Sequence, residues 1–389
     1  MAATHLSLQE SSSLSSRIDG HCDQRFASVR EVFADNFARG EEVGASCCVV
    51  LGSVKVVDLW GGVTAPGASA PWERDTIVNM MSVAKGVSAL VVHIAADRGL
   101  LDLDSPVARY WPEFTGGGKE AVLVAHVLDH TAGLEVLDDP LWPGAAYDWN
   151  AMTGALERQA VRSLPGTTPG YHTVTMSFLI GELIRRVTGK SYGRVLQDWV
   201  CGPLGLDYHV GLSLPHHARC ARFVKWAGYN QSGHGSDGPP PLLVQAWAQF
   251  DPERDDDWNS EQFRLAEIPG VNGHGNARSI ATLYGVLSQG GGQLVSADAL
   301  RRATALRWFA LEPVLTHHYR MGLGFTLNSP DAYMGPSQAA FGHVGAGGST
   351  GYADPEAGYG FAYAMNLMRT NRDNGPRARR LIEALHSCL

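Results

Sequence analysis

The strand-like stretches of this chain stand at its two ends. Ala45 to Leu51 and Val54 to Trp60 are apolar, β-branched runs around Gly52-Ser53, a hairpin signal. Near the other end, Met321 to Leu327, Ala339 to His343 and Tyr359 to Leu367 have strand character. Between them the apolar spacing is mostly helical. One sheet must then be assembled from both ends, with a helical domain inserted, an α/β (α+β) architecture. This places an α/β sheet domain at 17–90 and 270–389, a mainly helical domain with long loops at 91–269, and a flexible segment at 1–16.

Individual helices follow from the 3.6-residue period. Arg17 to Ala38 reads as one amphipathic helix with Ile18, Phe26, Val29, Val32, Phe33 and Phe37 on its apolar side. Further helices are expected at Trp149 to Ser163, at Val174 to Thr188 before Gly189, from Asn276 to the glycines at 290–292, and at Arg377 to Leu385. Trp226 to Glu261 is rich in Gly, Pro and Asp, too long for an ordinary connection, and reads as a substrate-covering loop or mobile packing.

Composition removes several classes of function. With 389 residues, 44% hydrophobic and 18% charged, the chain is globular and large enough for two packed domains. Its formal net charge of −8 and scattered basic residues argue against a nucleic-acid partner. No apolar run reaches bilayer length, and Met1 to Ser16 lacks a signal pattern, so a cytoplasmic protein without membrane contact is expected. The six cysteines form no disulfide framework. His216-His217-x-x-Cys220 and His317-His318 lack a second ligand cluster, so neither a metal nor a cofactor is expected.

The chemistry is concentrated in Asn79-Met80-Met81-Ser82-Val83-Ala84-Lys85-Gly86, at the mouth of the longest apolar helical pattern. A helix starting near Ser82 puts the Lys85 amine one turn above the Ser82 hydroxyl on the same face. A serine needs such a base to become nucleophilic, and an apolar cleft lowers a lysine pKa enough to provide one. The apolar stripe Val87, Leu90, Val91, Ile94 and Ala95 ends at Asp97-Arg98-Gly99. A helix facing the core rarely carries a lysine on its first turn without a task for it.

Ser82-Val83-Ala84-Lys85, the tyrosine of Pro169-Gly170-Tyr171-His172-Thr173, and Gly342-His343-Val344-Gly345 stand in the order of the three elements of penicillin-recognising serine enzymes. The chain resembles the class C β-lactamase branch, and within it the carboxylesterases of the β-lactamase fold. Leu128-Asp129-His130-Thr131-Ala132-Gly133-Leu134, Gly202-Pro203-Leu204-Gly205-Leu206 and Asn272-Gly273-x-Gly275 add to the likeness, which runs from about Arg17 to the end. It implies a β-lactamase/transpeptidase-like fold with a central antiparallel sheet flanked by N- and C-terminal helices. It further implies Ser82 as acylated nucleophile, Lys85 and Tyr171 as a proton-transfer pair that tune each other, and an oxyanion hole from the backbone N–H groups of Ser82 and Ala346. His343, Gly345 and His172 are implied as substrate-binding. His343 falls where the lactamases have a lysine, which points away from carboxylate-bearing substrates and toward small esters. The same acyl-enzyme would also serve an acyltransferase passing its acyl group to an amine or alcohol, and a catalytically dead binding domain is disfavoured by the intact Ser82, Lys85 and Tyr171.

A second serine competes. Gly347-Gly348-Ser349-Thr350-Gly351 matches the Gly-x-Ser-x-Gly elbow of α/β-hydrolases, with Asp354 or Asp373 and His386 in the right chain order. Its Gly-rich flanks run into Ala353-Asp354-Pro355 and read as a tight strand connection, which is the wrong frame for an elbow.

Overall fold

The computed structural model describes residues 17–68, 70–225, 240–250, 257–331, 333–369 and 374–389. The segment 1–16 and part of the Trp226 to Glu261 stretch lie outside the described residues. Nine antiparallel strands make the main sheet: β1 (Ile18–Cys22), β2 (Gly44–Leu51), β3 (Val54–Gly62), β4 (Trp308–Leu311), β5 (His318–Met321), β6 (Thr326–Leu327), β7 (Phe341–Val344), β8 (Thr350–Asp354) and β9 (Tyr359–Met365). Their order is β1-β3-β2-β9-β8-β7-β6-β5-β4. The β2–β9 pairing, Ala45 opposite Met365 through Leu51 opposite Tyr359, joins the two ends of the chain. Among the described residues, nothing between β3 and β4 adds a strand to this sheet.

Strands β2 and β9 are buried almost throughout, because helices cover both faces of the sheet. This is why they read as continuous apolar runs without alternation. Helix α6 (Ala277–Ser288) lies so close to one face that a Cβ on Gly360 would fall 2.2 Å from the Gly285 nitrogen. The alternate residues Tyr359 and Tyr363 point the other way. There Tyr359 Oη meets His386 Nε2 at 2.9 Å, and the Arg377 guanidinium sits 5.9 Å from the Tyr363 ring, both on α7 (Gly375–His386). Helix α1 (Ala27–Ala38) packs on α7. Helix α2 (Val83–Asp97) is buried from Val83 to Ala95 and runs through the centre. Further helices include α3 (Trp149–Arg158), α4 (Thr175–Thr188) and α5 (Pro241–Trp247). None of the helices among the described residues is long and apolar enough to cross a membrane.

Five local readings change. Ile18 to Cys22 is an edge strand on β3, and the first helix starts only at Ala27. Gly20 takes φ +105°, against the Asp58 carbonyl, a backbone state no helix accepts. Helix α3 ends at Arg158 because Gln159 turns extended and trades hydrogen bonds with Asp138. Met321 to Leu327 is broken by a turn at Gly324, φ +84°, that touches Ala89 of α2. Trp308–Leu311 and Thr350–Asp354 are strands in their own right. Within the long Trp226 to Glu261 stretch, Pro241 to Trp247 forms α5.

Candidate active site

Ser82 is the N-cap of α2, and the residue before it is strained. Met81 holds φ +49°, a region costing a non-glycine residue about 1–3 kcal/mol. The Asn79 side chain stabilises that kink: its Oδ1 accepts the Met81 N–H at 3.0 Å, and its amide reaches Met81 Sδ at 3.2 Å. The Met80 N–H donates to Gly273 O at 2.9 Å, tying the turn to Asn272-Gly273. Ser82 thereby stays partly exposed while its neighbours on both sides are buried.

Lys85 is fully buried, with Nζ 2.8 Å from Thr173 O, 2.9 Å from Gly270 O and 3.3 Å from Ser82 Oγ. Gly270 is itself held by a 3.0 Å bond from its N–H to Ser177 Oγ. Desolvation lowers the Lys85 pKa to about 7. Carbonyls only accept, so the two N–H bonds of a neutral amine go to Thr173 and Gly270 and its lone pair is left facing the Ser82 hydroxyl.

Tyr171 completes the group. Its phenol neighbours Ser82, and Lys85 Nζ lies 5.0 Å from its ring centroid. Burial raises the phenol pKa well above its ordinary value, and Glu312 pushes it further up, so Tyr171 keeps its proton. Neither shift has the other residue among its causes, so in place of the expected mutual tuning each group answers to its own burial: the amine gives up its proton and the phenol retains it. The ring stacks on Tyr319 at 5.9 Å and 9° and meets His130 at 4.7 Å.

His343 stands at the end of β7 with Nδ1 2.7 Å from Val344 O and Nε2 3.5 Å from Tyr171 Oη. The carbonyl can take only a donor, so Nδ1 carries the proton and Nε2 presents a lone pair to the phenol. Burial, then Lys85, lowers its pKa to about 3, so the ring is neutral.

The strand end is pressed onto the turn before Ser82: a Cβ on Gly345 would fall 2.2 Å from Met80 O. Gly345 is thus a spacer whose N–H is spent on Ser349 O at 2.7 Å. Ala346 follows, partly exposed. Among the described residues, neither its N–H nor that of Ser82 donates to a protein acceptor. Two free amides beside a nucleophile are what an oxyanion requires.

The resemblance gives His172 a substrate contact, and the structure does not. Its buried Nδ1–H donates to Gly170 O at 2.6 Å and its Nε2 accepts the Leu134 N–H at 3.2 Å, leaving no ring nitrogen for a ligand. It braces the turn that carries Tyr171. Ser349 is fully buried with no hydrogen-bond partner for Oγ among the described residues, and a strand follows it at once. Of its supposed partners, Asp354 caps the turn after β8, His386 bonds Tyr359, and Asp373 lies outside the described residues.

Sequence reading missed Glu312, which accepts the Tyr171 N–H at 3.0 Å from a fully buried position. It also missed the apolar wall in which Tyr171, Leu243 and Val314 cluster with Leu242, Trp247 and Leu315. A buried-looking glutamate closing an alternating strand was the available signal for the first.

The Beta-lactamase family model matches residues 29–386. The chain is similar to the Esterase/beta-lactamase LipL of Mycobacterium tuberculosis, at 31% identity over 375 residues, 90% of this chain and 83% of that protein. Among solved structures, a family VIII carboxylesterase superposes with a TM-score of 0.88 at 40% identity, covering 96% of this chain and 100% of that one. A penicillin-binding protein homologue from Caulobacter crescentus gives a TM-score of 0.89 at 38% identity, with the same coverage, 96% and 100%.

Proposed function

The chain belongs to the β-lactamase family, and from that premise we propose that it is a carboxylesterase working through an acyl-enzyme on Ser82, with small or hydrophobic neutral esters as substrates. The observation that carries the reading is the Lys85 amine, aimed by two carbonyls so that its lone pair meets Ser82 Oγ. In the first step Lys85 takes the Oγ proton as Oγ bonds to the ester carbonyl carbon. The oxyanion lies between the Ser82 and Ala346 N–H groups. As the carbon–alkoxide bond breaks, the alkoxide takes the Tyr171 proton, and the Lys85 ammonium restores it to the phenol. Water then attacks the acyl group with its proton passing to Lys85, and the return of that proton to Oγ frees the acid.

Two features support a neutral ester. Burial, then Lys85, keeps the His343 ring neutral, so the ring itself offers a carboxylate no positive charge. The wall beside Tyr171 is aliphatic and aromatic, which suits an alkyl or acyl group. The test is intact-protein mass spectrometry after brief exposure to esters, thioesters and β-lactams, with Ser82→Ala as control. An ester-derived acyl adduct on Ser82 is expected. Faster and more complete labelling by benzylpenicillin overturns the substrate assignment. Release of the acyl group onto an added alcohol in preference to water makes the protein an acyltransferase instead.

A further inference from the structure

The geometry points to Glu312 as a positioning residue that fastens Tyr171 and part of its apolar wall to one carboxylate, and so sets where the phenol stands over Ser82. The inference rests on the proposed role of Tyr171 in proton transfer. Glu312 is fully buried at the end of β4, next to the catalytic group but facing its backbone. Its Oε2 accepts the N–H of Tyr171 at 3.0 Å and of Val314 at 2.9 Å, and its Oε1 accepts the N–H of Leu315 at 2.5 Å. The main chain around it closes the same loop, the Glu312 N–H donating to His317 O at 2.9 Å and the Thr316 N–H to Glu312 O at 3.0 Å.

A carboxylate buried among amides is unfavourable unless each oxygen is satisfied, and here Tyr171, Val314 and Leu315 all meet it with a backbone N–H. That makes the acceptor requirement strict. In Glu312→Gln either orientation of the amide turns an NH₂ group toward backbone N–H donors, so at least one contact becomes a repulsion. Val314 and Leu315, tied to the same carboxylate, pack against the Tyr171 cluster. Backbone and wall of the tyrosine therefore move together when the fastening is lost. Tyr171 is reached across 141 residues of sequence; Tyr319 and His130 hold its ring faces, His343 Nε2 lies 3.5 Å from its phenol, and its carbonyl accepts the Thr173 N–H at 2.8 Å.

A double-mutant cycle with Tyr171→Phe on an unactivated alkyl ester, methyl butyrate, tests this. Displacing a reacting group by about 1 Å costs up to roughly a hundredfold. Glu312→Gln is accordingly expected to lower kcat about 10- to 100-fold in the wild type, while any change in KM from the shifted wall is the same in both backgrounds. In the Tyr171→Phe background, where no phenol remains to be placed, it should cost less than about threefold. Equal factors in both backgrounds, or a wild-type rate in Glu312→Gln, overturn the proposal and leave a merely structural glutamate. Should Glu312→Gln not fold, Glu312→Asp goes through the same cycle; its carboxylate is one methylene too short to reach all the amides. Labelling of Ser82 by a fluorophosphonate separates the two failures. If the wild type takes the label while the cycle shows equal factors, Glu312 alone is misassigned. If the wild type takes none, the nucleophile is wrong and the role of Glu312 falls with it.

Discussion

The Lys85 amine lies 3.3 Å from the Ser82 hydroxyl, and the two carbonyls that fix its hydrogens, Thr173 O and Gly270 O, come from segments 88 and 185 residues away. Three parts of the chain must be folded before the base points at its target. Burial then does the rest, since the amine is screened from water on the first turn of a central helix.

That arrangement gives a pH dependence with a definite sign. Lys85 titrates near 7 when folded, so kcat/KM should climb as pH rises through about 7 and level off above it. Stability follows the same group in the opposite sense to a salt bridge. With a folded pKa below the ordinary lysine value of 10.5, protonating Lys85 opposes folding fully below about 7, and this opposition fades as pH rises toward 10.5. Lys85→Met should be inactive, and its Tm advantage over wild type should be larger at pH 7 than at pH 10. A profile flat from pH 6 to 8, or a Tm difference independent of pH, removes Lys85 as the base.

The two serines are separated by accessibility and partners. Ser82→Ala should abolish turnover of an activated ester, while Ser349→Ala keeps most of it, because Ser349 Oγ is buried and has no hydrogen-bond partner among the described residues. Comparable losses in two folded variants, read by initial rates beside circular dichroism, would return the elbow to consideration.

Asn79 should matter although it touches no substrate. Asn79→Ala removes the acceptor that holds Met81 at φ +49° and lets the turn relax, carrying Ser82 away from Lys85. The expected result is a kcat lower by about tenfold or more with nearly constant KM, since a small misplacement of the nucleophile is costly. Asn79→Asp keeps an oxygen for the Met81 N–H and should recover part of the rate. An unchanged kcat in Asn79→Ala means the kink is held by packing alone.

What could be read beforehand divides by range. The Ser82–Lys85 relation is local, one helical turn, and so was visible in the spacing. The assembly of one sheet from both ends was visible too, because β2 and β9 carry apolar runs that only a doubly covered strand needs. The Ile18–Cys22 strand was not, since its apolar residues fit a helical period and only the left-handed Gly20 forbids it. Glu312 escaped for a different reason: its partner Tyr171 is 141 positions away, and no pattern announces a carboxylate that binds backbone amides. The direction of the Lys85 and Tyr171 shifts depends on burial, which composition does not specify. His172 misled because a polar residue next to Tyr171 can face either way, and here it faces the chain.

The loop bearing Ala346 has its own anchor, and it is separable from the stability that anchor provides. Arg377 is buried on α7, donating to Glu42 Oε2 at 2.7 Å, Glu41 O at 3.0 Å, Leu367 O at 2.8 Å and Gly347 O at 2.9 Å. Gly347 directly follows Ala346, so the guanidinium pins the oxyanion loop from behind. Lysine cannot span four acceptors with one ammonium, and Arg377→Lys should lose both the ion-pair geometry and the hold on Gly347. Breaking a buried pair costs about 3–5 kcal/mol, which should appear as a large fall in Tm. Its kcat should fall as well, by roughly the 10²–10³-fold of losing one oxyanion donor if the Ala346 N–H swings away completely, and by less if it only loosens. Glu42→Gln supplies the contrast: it weakens the pair and lowers Tm but leaves the Arg377–Gly347 contact in place, so turnover per folded molecule should stay near wild type. Rates measured below both transition temperatures decide the matter. If Arg377→Lys and Glu42→Gln lose Tm alike and both keep full kcat, the loop is held by its own Gly345–Ser349 bond and Arg377 serves stability alone.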